Sequence, residues 1–105
     1  MRAAVAAPSL LLALAGCGGA GETEADGAAP AGRQLFVSNC GSCHALADAG
    51  TNSSAGPSLD AFAPSRESVE EQVRHGGGGM PAFEGRLSDA EIEAVSTYAA
   101  DHAGR

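Results

Sequence analysis

The sequence has 105 residues, of which 13 are acidic and 6 are arginine, so that its formal net charge is −7. This length allows one small domain. An acidic chain without lysine is a poor match for nucleic acid or for direct binding to anionic lipid. With one tyrosine, three phenylalanines and no tryptophan, the chain supplies only a small apolar core of its own.

The first segment of the chain, residues 1–16, has the pattern of an export signal. Arg2 gives it a charged start, and residues 10–15 form a short apolar run with a small-residue exit. The run is too short to cross a membrane as a helix. We therefore predict that residues 1–16 are removed on export.

The end of this signal can be interpreted in two ways. The segment Leu14-Ala15-Gly16-Cys17 resembles the lipobox of bacterial lipoproteins, in which the cysteine is lipidated and becomes the first mature residue. This interpretation explains the third cysteine, and two or more acyl chains anchor a protein stably. Alternatively, Ala13-Leu14-Ala15 is an ordinary cleavage site that releases a soluble protein with a free thiol. We favour a lipoprotein signal peptide and a lipidated Cys17.

Residues 17–31 combine this cysteine with an acidic stretch rich in glycine and alanine that has no apolar periodicity. Such a stretch is typical of a flexible linker, which at this length spans about 20 Å. The folded domain is predicted to cover residues 32–105.

The strongest motif of the chain is Cys40-Gly41-Ser42-Cys43-His44. Two cysteines three apart, followed directly by histidine, form the attachment motif of a covalent haem. We predict a helix over Arg33–His44, on which both sulfurs project to one side and reach the two vinyl groups. His44 then becomes the proximal iron ligand.

Two other chemistries use a Cys-x-x-Cys pair. A thioredoxin-like redox pair is expected among strands, and this chain has no alternating β-rich run. A zinc site needs a second Cys/His pair, and only Cys17 remains, in a different context. Covalent haem attachment is therefore the favoured interpretation, and a buried haem would complete the small core.

The segments after the motif predict an all-α domain with three principal helices and no strand. Residues 45–58 have the composition of a loop. Ser65 precedes a short helix with early acids, which ends at Gly76. Ser88 and Glu91 form a capping box that opens the last helix.

A second ligand follows a run of four glycines, residues 76–79. Met80 is the only methionine after the predicted leader, and Pro81 limits how it can move. Glycines let the backbone pass close to a flat cofactor. We therefore predict that Met80 is the distal ligand of the haem iron.

Over essentially all of residues 32–105, the domain resembles a class I, monohaem cytochrome c. Gly32, Phe36 and the attachment motif fall at that family's spacing for its first helix. Gly-Gly-Met80-Pro81 matches its distal-ligand loop. Together with the lipobox, the chain is similar to the small lipid-anchored cytochromes c of Gram-positive bacteria.

This resemblance implies a class I cytochrome c fold, with three principal helices around one covalently bound haem c. Gly32 would permit a close crossing with the last helix, where Val95 and Tyr98 occupy the matching positions. The carbonyl of Pro57 would accept a hydrogen bond from the ring N–H of His44, which orients the imidazole and increases its donor strength.

The sequence departs from better-known members of the family because it has neither the lysine ring for docking nor a tryptophan for a haem propionate. Arg74, Gln72 and Tyr98 are candidates for the propionate role. His75 and His102 are expected at helix ends in solvent. His75 is the one rival to Met80, since it precedes the same loop.

Histidine and methionine would fill both axial positions of the iron, which predicts one-electron transfer rather than catalysis. The chain would serve a membrane-associated respiratory chain as its Fe(II)/Fe(III) carrier. The alternative is a haem peroxidase or sensor in which Met80 dissociates to open a coordination site. A haem-free thiol or zinc module is the third class of function.

The expected partners are membrane redox complexes, namely a quinol-oxidising donor and a terminal oxidase or other acceptor. Without Arg2 the exported chain has five arginines and thirteen acids, a charge of −8, which suggests basic partner surfaces or docking through an apolar haem rim. We expect a monomer on the outer face of the cytoplasmic membrane, or on the periplasmic side of a membrane in a Gram-negative cell. The alternative is a soluble periplasmic protein.

Overall fold

The computed structural model describes residues 28–105, which fold as helices joined by loops and isolated bridges, with no strand in that range. The predicted signal peptide and Cys17 lie outside the described residues. A 3-10 turn at Ala47–Ala49 lies between the first two helices. The helices are α1 (Ala28–Asn39), α2 (Leu59–Phe62), α3 (Arg66–His75) and α4 (Asp89–His102). The all-α prediction is confirmed.

Helix α1 ends earlier than the sequence predicted. It stops at Asn39, so the attachment motif forms a turn after the helix and not its last turn. The N–H groups of Cys40 and Gly41 both donate to the carbonyl of Phe36, each at 2.8 Å, and this shared acceptor ends the regular ladder. The Asn39 amide also donates to the Leu35 carbonyl at 2.9 Å. The helical prediction for residues 40–44 is therefore wrong.

Helix α1 also begins earlier, at Ala28, inside the segment 17–31 that we interpreted as a linker. Alanine has the highest helix propensity. A proline at position 30 is tolerated because the first N–H groups of a helix have no acceptor within it. Local propensity thus extends the helix beyond the part that the apolar pattern marks.

Helices α3 and α4 begin as the sequence predicted. The Ser65 hydroxyl accepts a hydrogen bond from the Ser68 N–H at 3.1 Å. At α4, the Ser88 hydroxyl accepts from the Glu91 N–H at 3.1 Å, and the Glu91 carboxylate accepts from the Ser88 N–H at 2.9 Å. Both caps satisfy N–H groups that the helix itself leaves without an acceptor.

Helices α1 and α4 cross at Gly32. A Cβ atom at this position would lie 2.6 Å from both the Ala94 carbonyl oxygen and the Tyr98 Cβ, so only glycine allows this approach. The rings of Phe36 and Tyr98 meet beside the crossing, with centroids 6.1 Å apart. The crossing that the resemblance implied is therefore present, and it fixes the helix that precedes the attachment motif.

The crossing is tied to the following loop by a buried tyrosine. The Tyr98 hydroxyl donates to the carboxylate of Asp48, the middle residue of the 3-10 turn. Burial, with a further contribution from this carboxylate, raises the pKa of Tyr98 to about 12. The hydroxyl therefore remains a donor at physiological pH, and it links α4 to the chain just after the motif.

Helix α2 was not predicted. It is a single turn, and its N-terminal cap is the Ser58 hydroxyl, which accepts from the Ala61 N–H at 3.3 Å. None of its side chains is fully buried. Sequence patterns do not mark so short a helix, because it offers no apolar period to detect.

Within residues 28–105, no helix has the length and apolarity that crossing a membrane requires.

One buried hydroxyl in α4 generates a stability prediction. The Ser96 side chain is fully buried, and among the described residues its Oγ has no hydrogen-bond partner. We expect Ser96→Ala to raise the free energy of unfolding by about 1 kcal/mol, since it removes an unsatisfied polar atom. Ser88→Ala, on the same helix, should lower it by about 1 kcal/mol through loss of the cap. Denaturant unfolding of both variants would measure these shifts, and a loss of stability in Ser96→Ala would contradict the prediction.

Candidate functional site

A cavity of about 730 Å³ lies between the attachment turn, the Pro57 loop, α3, the glycine run and α4. Its size is within the usual range for small-molecule and cofactor sites. The lining includes five of the six side chains that the sequence singled out, namely Cys40, Cys43, His44, Pro57 and Met80. The structure thus brings together residues up to 40 positions apart, while Cys17 lies outside the described residues.

The two motif cysteines lie side by side at the cavity but differ in exposure. Cys40 is buried, with 8% of its surface exposed, whereas Cys43 is exposed. Burial, and secondarily the neighbouring Cys43, raises the pKa of Cys40 to about 11. The reactive cysteine of a thiol oxidoreductase needs a lowered pKa. The chemistry of this pair therefore disfavours a thioredoxin-like function.

The zinc alternative has no ligand set in the part of the chain that the structure describes. No group of three or more His, Cys, Asp or Glu side chains between residues 28 and 105 is placed to hold a metal ion. A structural zinc site needs four such ligands.

His44 is held in one orientation by the loop that follows the motif. Its Nδ1 donates to the Pro57 carbonyl at 2.8 Å, which leaves Nε2 without a proton and able to bind a metal. The Gly56 N–H donates to the Cys43 carbonyl at 2.7 Å, so the loop is also fixed to the motif's backbone. This is the contact that the resemblance implied for Pro57.

Gly56 is a site residue whose role the sequence analysis did not identify. A Cβ atom at this position would lie 2.7 Å from His44 Cε1 and 3.0 Å from Nδ1. The backbone therefore touches the imidazole ring directly, and a side chain would displace it. The signal in the sequence was the glycine directly before Pro57, whose function only the three-dimensional contact reveals.

The glycine run turns the chain so that Met80 reaches the cavity. All four glycines have positive φ angles, between 61° and 125°, which other residues rarely adopt. The N–H groups of Gly77 and Met80 donate to each other's carbonyls at 2.9 and 3.1 Å. A Cβ atom at Gly76 would lie 2.6 Å from the Met80 carbonyl oxygen. Side chains in this run would thus prevent the turn that presents the methionine.

The remaining lining suits a flat, apolar, iron-containing group. Within residues 28–105, no acidic side chain, lysine or arginine lines the cavity. Its walls are mainly apolar, with contributions from Phe36, Val73, Phe83 and Val95. Two thiols for covalent attachment, together with an imidazole and a thioether, form the donor set of a His/Met-ligated haem c. The residues present therefore fit the haem that the sequence predicts.

The other two histidines do not line this cavity. The exposed His75 ring lies 3.7 Å from the Glu71 carboxylate and 4.0 Å from that of Glu84. The His102 Nδ1 lies 2.9 Å from the Tyr98 carbonyl oxygen. In this structure Met80, rather than His75, is the second candidate ligand at the cavity.

Of the three candidates for a haem propionate partner, only Gln72 lines the cavity. Arg74 instead pairs with Glu70 at 3.0 Å and with Asp89 at 2.8 Å, which joins α3 to α4. Hydrogen bonding to Arg74 is the largest cause of the lowered pKa of Glu70. Tyr98 is engaged by Asp48, as described above. Arg74 and Tyr98 thus have other partners.

Comparison with known proteins identifies cytochromes c as relatives of this chain. Residues 27–98 match the family described as cytochrome c oxidase, cbb3-type, subunit III. Among curated proteins, cytochrome c6 of Picosynechococcus sp. is 41% identical over 90 residues, which cover 71% of this chain and 74% of that protein. Cytochrome c6 of Leptolyngbya boryana is 40% identical over 79 residues, covering 71% of this chain and 93% of that protein.

A solved structure of a c-type cytochrome has a similar fold. The crystal structure of the c-type cytochrome SorU from Sinorhizobium meliloti superposes with a TM-score of 0.69 at 41% sequence identity. The match covers 74% of this chain and 93% of that chain.

The contact between Gly56 and His44 generates a prediction. We expect Gly56→Ala to tilt the imidazole and to change the electron paramagnetic resonance of the ferric protein, because its methyl group would overlap the ring. Gly50→Ala is a control for lost stability without contact to the ring, since its φ of 72° strains an alanine but no atom lies within 4 Å of its Cβ position. The control should lose about 1 kcal/mol of stability without a spectral change. Identical spectra for both variants would refute the proposed contact.

Proposed function

The chain belongs to the class I, monohaem cytochromes c, and from this premise we propose which of its residues hold the haem and where the carrier works. Members of this family hold haem c covalently and transfer single electrons, and this chain is such an electron carrier. The remaining questions concern the attachment residues, the axial ligands, the partners and the location in the cell.

Cys40 and Cys43 form the two thioether bonds. This assignment is supported by their spacing and by their position in the turn after α1, where both line the same cavity. The high pKa of Cys40 means that it remains a protonated thiol until it reacts. It therefore does not compete as a redox nucleophile before the haem is attached.

His44 and Met80 are the axial ligands. The observation that carries this proposal is the convergence of both side chains on one cavity, with the His44 Nδ1–H already donating a hydrogen bond to the Pro57 carbonyl. That hydrogen bond leaves the other ring nitrogen as the only metal-binding atom of the imidazole. Pro81 and the glycine run restrict the positions that Met80 can occupy.

This ligand set explains why the protein transfers electrons rather than transforming a substrate. When bound, haem c supplies a one-electron Fe(III)/Fe(II) couple. His44 and Met80 together would hold the iron, and a substrate could then bind it only by displacing one of them. The thioether of Met80 favours the ferrous state relative to a second histidine. The mainly apolar walls would limit the access of water to a bound haem, so its environment would change little between oxidation states.

The carrier is exported and works in a membrane-associated respiratory chain, between a quinol-oxidising complex and a terminal oxidase. The match to a family named for an oxidase subunit supports an oxidase as the acceptor. Partners dock at the rim of the cavity, where the Phe62 side chain is 66% exposed. Electron-transfer complexes bury little surface and dissociate readily.

A lipid anchor at Cys17 would keep the domain close to these complexes. The anchor is supported by the lipobox pattern before Cys17, and the acidic linker gives the domain freedom to reorient. Tethering raises the effective concentration of a weak partner. It therefore compensates for the small docking surface.

The ligand proposal is tested by removing each candidate ligand in turn. In Met80→Ala we expect the weak far-red band of ferric iron–methionine sulfur to disappear. The midpoint potential should fall by on the order of 0.1 V, a modest part of the range of about 0.8 V that axial ligands control. His75→Ala is the matched control and should keep both properties. If the wild type lacks this band and only His75→Ala changes the spectrum, the ligand is His75. An open site in the wild type would instead favour sensing or peroxidase chemistry.

The anchor is tested by mass and partitioning of the exported protein. Wild-type protein should carry a lipid-modified Cys17 at its N-terminus and enter the detergent phase of a two-phase extraction. Cys17→Ser should be unlipidated and remain in the aqueous phase with an unchanged haem spectrum. An unmodified N-terminus produced by cleavage after Ala15 in the wild type would contradict lipidation and support a soluble protein.

A further inference from the structure

Helix α2 has an unusual source of stability. It has a single turn, and none of its side chains is fully buried. A helix this short does not form on its own, because its nucleation cost is not repaid by further turns. Apolar packing contributes through the half-buried Leu59 alone, so polar contacts to the rest of the domain must supply much of the stability of α2.

Asp60, in the first turn of α2, supplies two such contacts. Its Oδ2 accepts a hydrogen bond from the Ala47 N–H at 2.8 Å, and its Oδ1 accepts from the Gly104 N–H at 2.9 Å. One carboxylate therefore joins the turn after the attachment motif, α2 and the segment that follows α4. The Gly104 bond, followed by the Ala47 bond, lowers the pKa of Asp60, so the carboxylate is ionised and both bonds are charge-assisted.

The Pro57 carbonyl lies directly before α2. Pro57 directly precedes Ser58, which caps α2, and its oxygen accepts the His44 Nδ1 proton. Two backbone hydrogen bonds hold this loop to the motif and the residues after it. The Gly56 N–H donates to the Cys43 carbonyl at 2.7 Å, and the Leu59 N–H donates to the Ala45 carbonyl at 3.0 Å. Asp60 fixes the helix that follows this loop to Ala47 and Gly104.

We propose that Asp60 is a positioning residue for electron transfer, which holds the Pro57 carbonyl against His44 by anchoring α2 to Ala47 and Gly104. Through this contact Asp60 sets the donor strength of the imidazole, and thereby contributes to the reduction potential. The proposal rests on the assignment of His44 as a ligand. It concerns a residue that acts through others, since Asp60 is not among the residues that line the cavity.

The direct test is the exchange of the His44 Nδ1 proton with solvent, followed by NMR in the ferrous, full-length holoprotein. Asp60→Asn keeps the shape of the side chain but turns an NH₂ group towards one of the two N–H donors, and so loses one bond. We expect exchange roughly three- to tenfold faster than in the wild type, because one hydrogen bond to a charged acceptor is lost. Asp60→Ala loses both bonds and should exchange faster still. If Asp60→Ala fails to mature, Asp60→Asn alone decides the question.

Two controls separate positioning from charge and from general stability. Asp101→Asn removes the same charge from an exposed residue in the last turn of α4, three residues before Gly104. Ser65→Ala lowers the stability through α3, away from the proximal loop. Both should leave the exchange rate near that of the wild type. The midpoint potential of Asp60→Asn should exceed that of Asp101→Asn, because a weaker Pro57 contact makes His44 a weaker donor.

Each outcome has a distinct meaning. Faster exchange and a higher potential in Asp60→Asn than in both controls would support the proposal. The role of Asp60 would be overturned if Nδ1 proton exchange in Asp60→Asn rises only as much as in Ser65→Ala. It would also be overturned if the midpoint potential of Asp60→Asn equals that of Asp101→Asn. Either result would leave the ligand assignment intact. A wild-type spectrum without histidine ligation would overturn both.

Discussion

The hydrogen bond from His44 to the Pro57 carbonyl is the interaction on which the rest of the site depends. It selects which ring nitrogen is free to bind metal, and it orients the ring towards the cavity. The bond forms only if the loop that follows the attachment motif returns to the histidine from which it starts. Much of the domain's polar structure, including the bonds made by Gly56, Leu59 and Asp60, can be understood as holding that loop in place.

Close approach of the backbone is the second constraint, and glycine satisfies it at several places, three of which shape the site. Gly32 lets α1 and α4 cross, Gly56 lets the loop touch the imidazole, and Gly76 lets the distal loop fold against the Met80 backbone. In each case a Cβ atom would lie less than 3.0 Å from a neighbouring atom. A domain with so few large side chains thus gains its cofactor cavity from tight backbone packing around it, rather than from a large core of its own.

The sequence revealed the chemistry of the site better than its local geometry. The attachment motif, Met80 as a candidate ligand and the helix caps at Ser65 and Ser88 depend on short patterns with a direct chemical meaning, so they could be predicted without coordinates. The end of α1 could not be located, because it depends on the shared acceptor at Phe36. The partners of Asp60 and of Tyr98 also escaped prediction, because each bond joins residues 13 or more positions apart through a fold that no local pattern specifies.

The measurement that tests the account most directly is the absorption spectrum of the wild-type protein, matured with a c-type haem assembly system and recorded in both oxidation states. A pyridine haemochrome assay on the same sample identifies the mode of haem attachment. We expect a covalent c-type signature together with the far-red band of ferric iron bound to methionine sulfur. A c-type signature without this band would contradict ligation by Met80, and the absence of covalent haem would contradict the account as a whole.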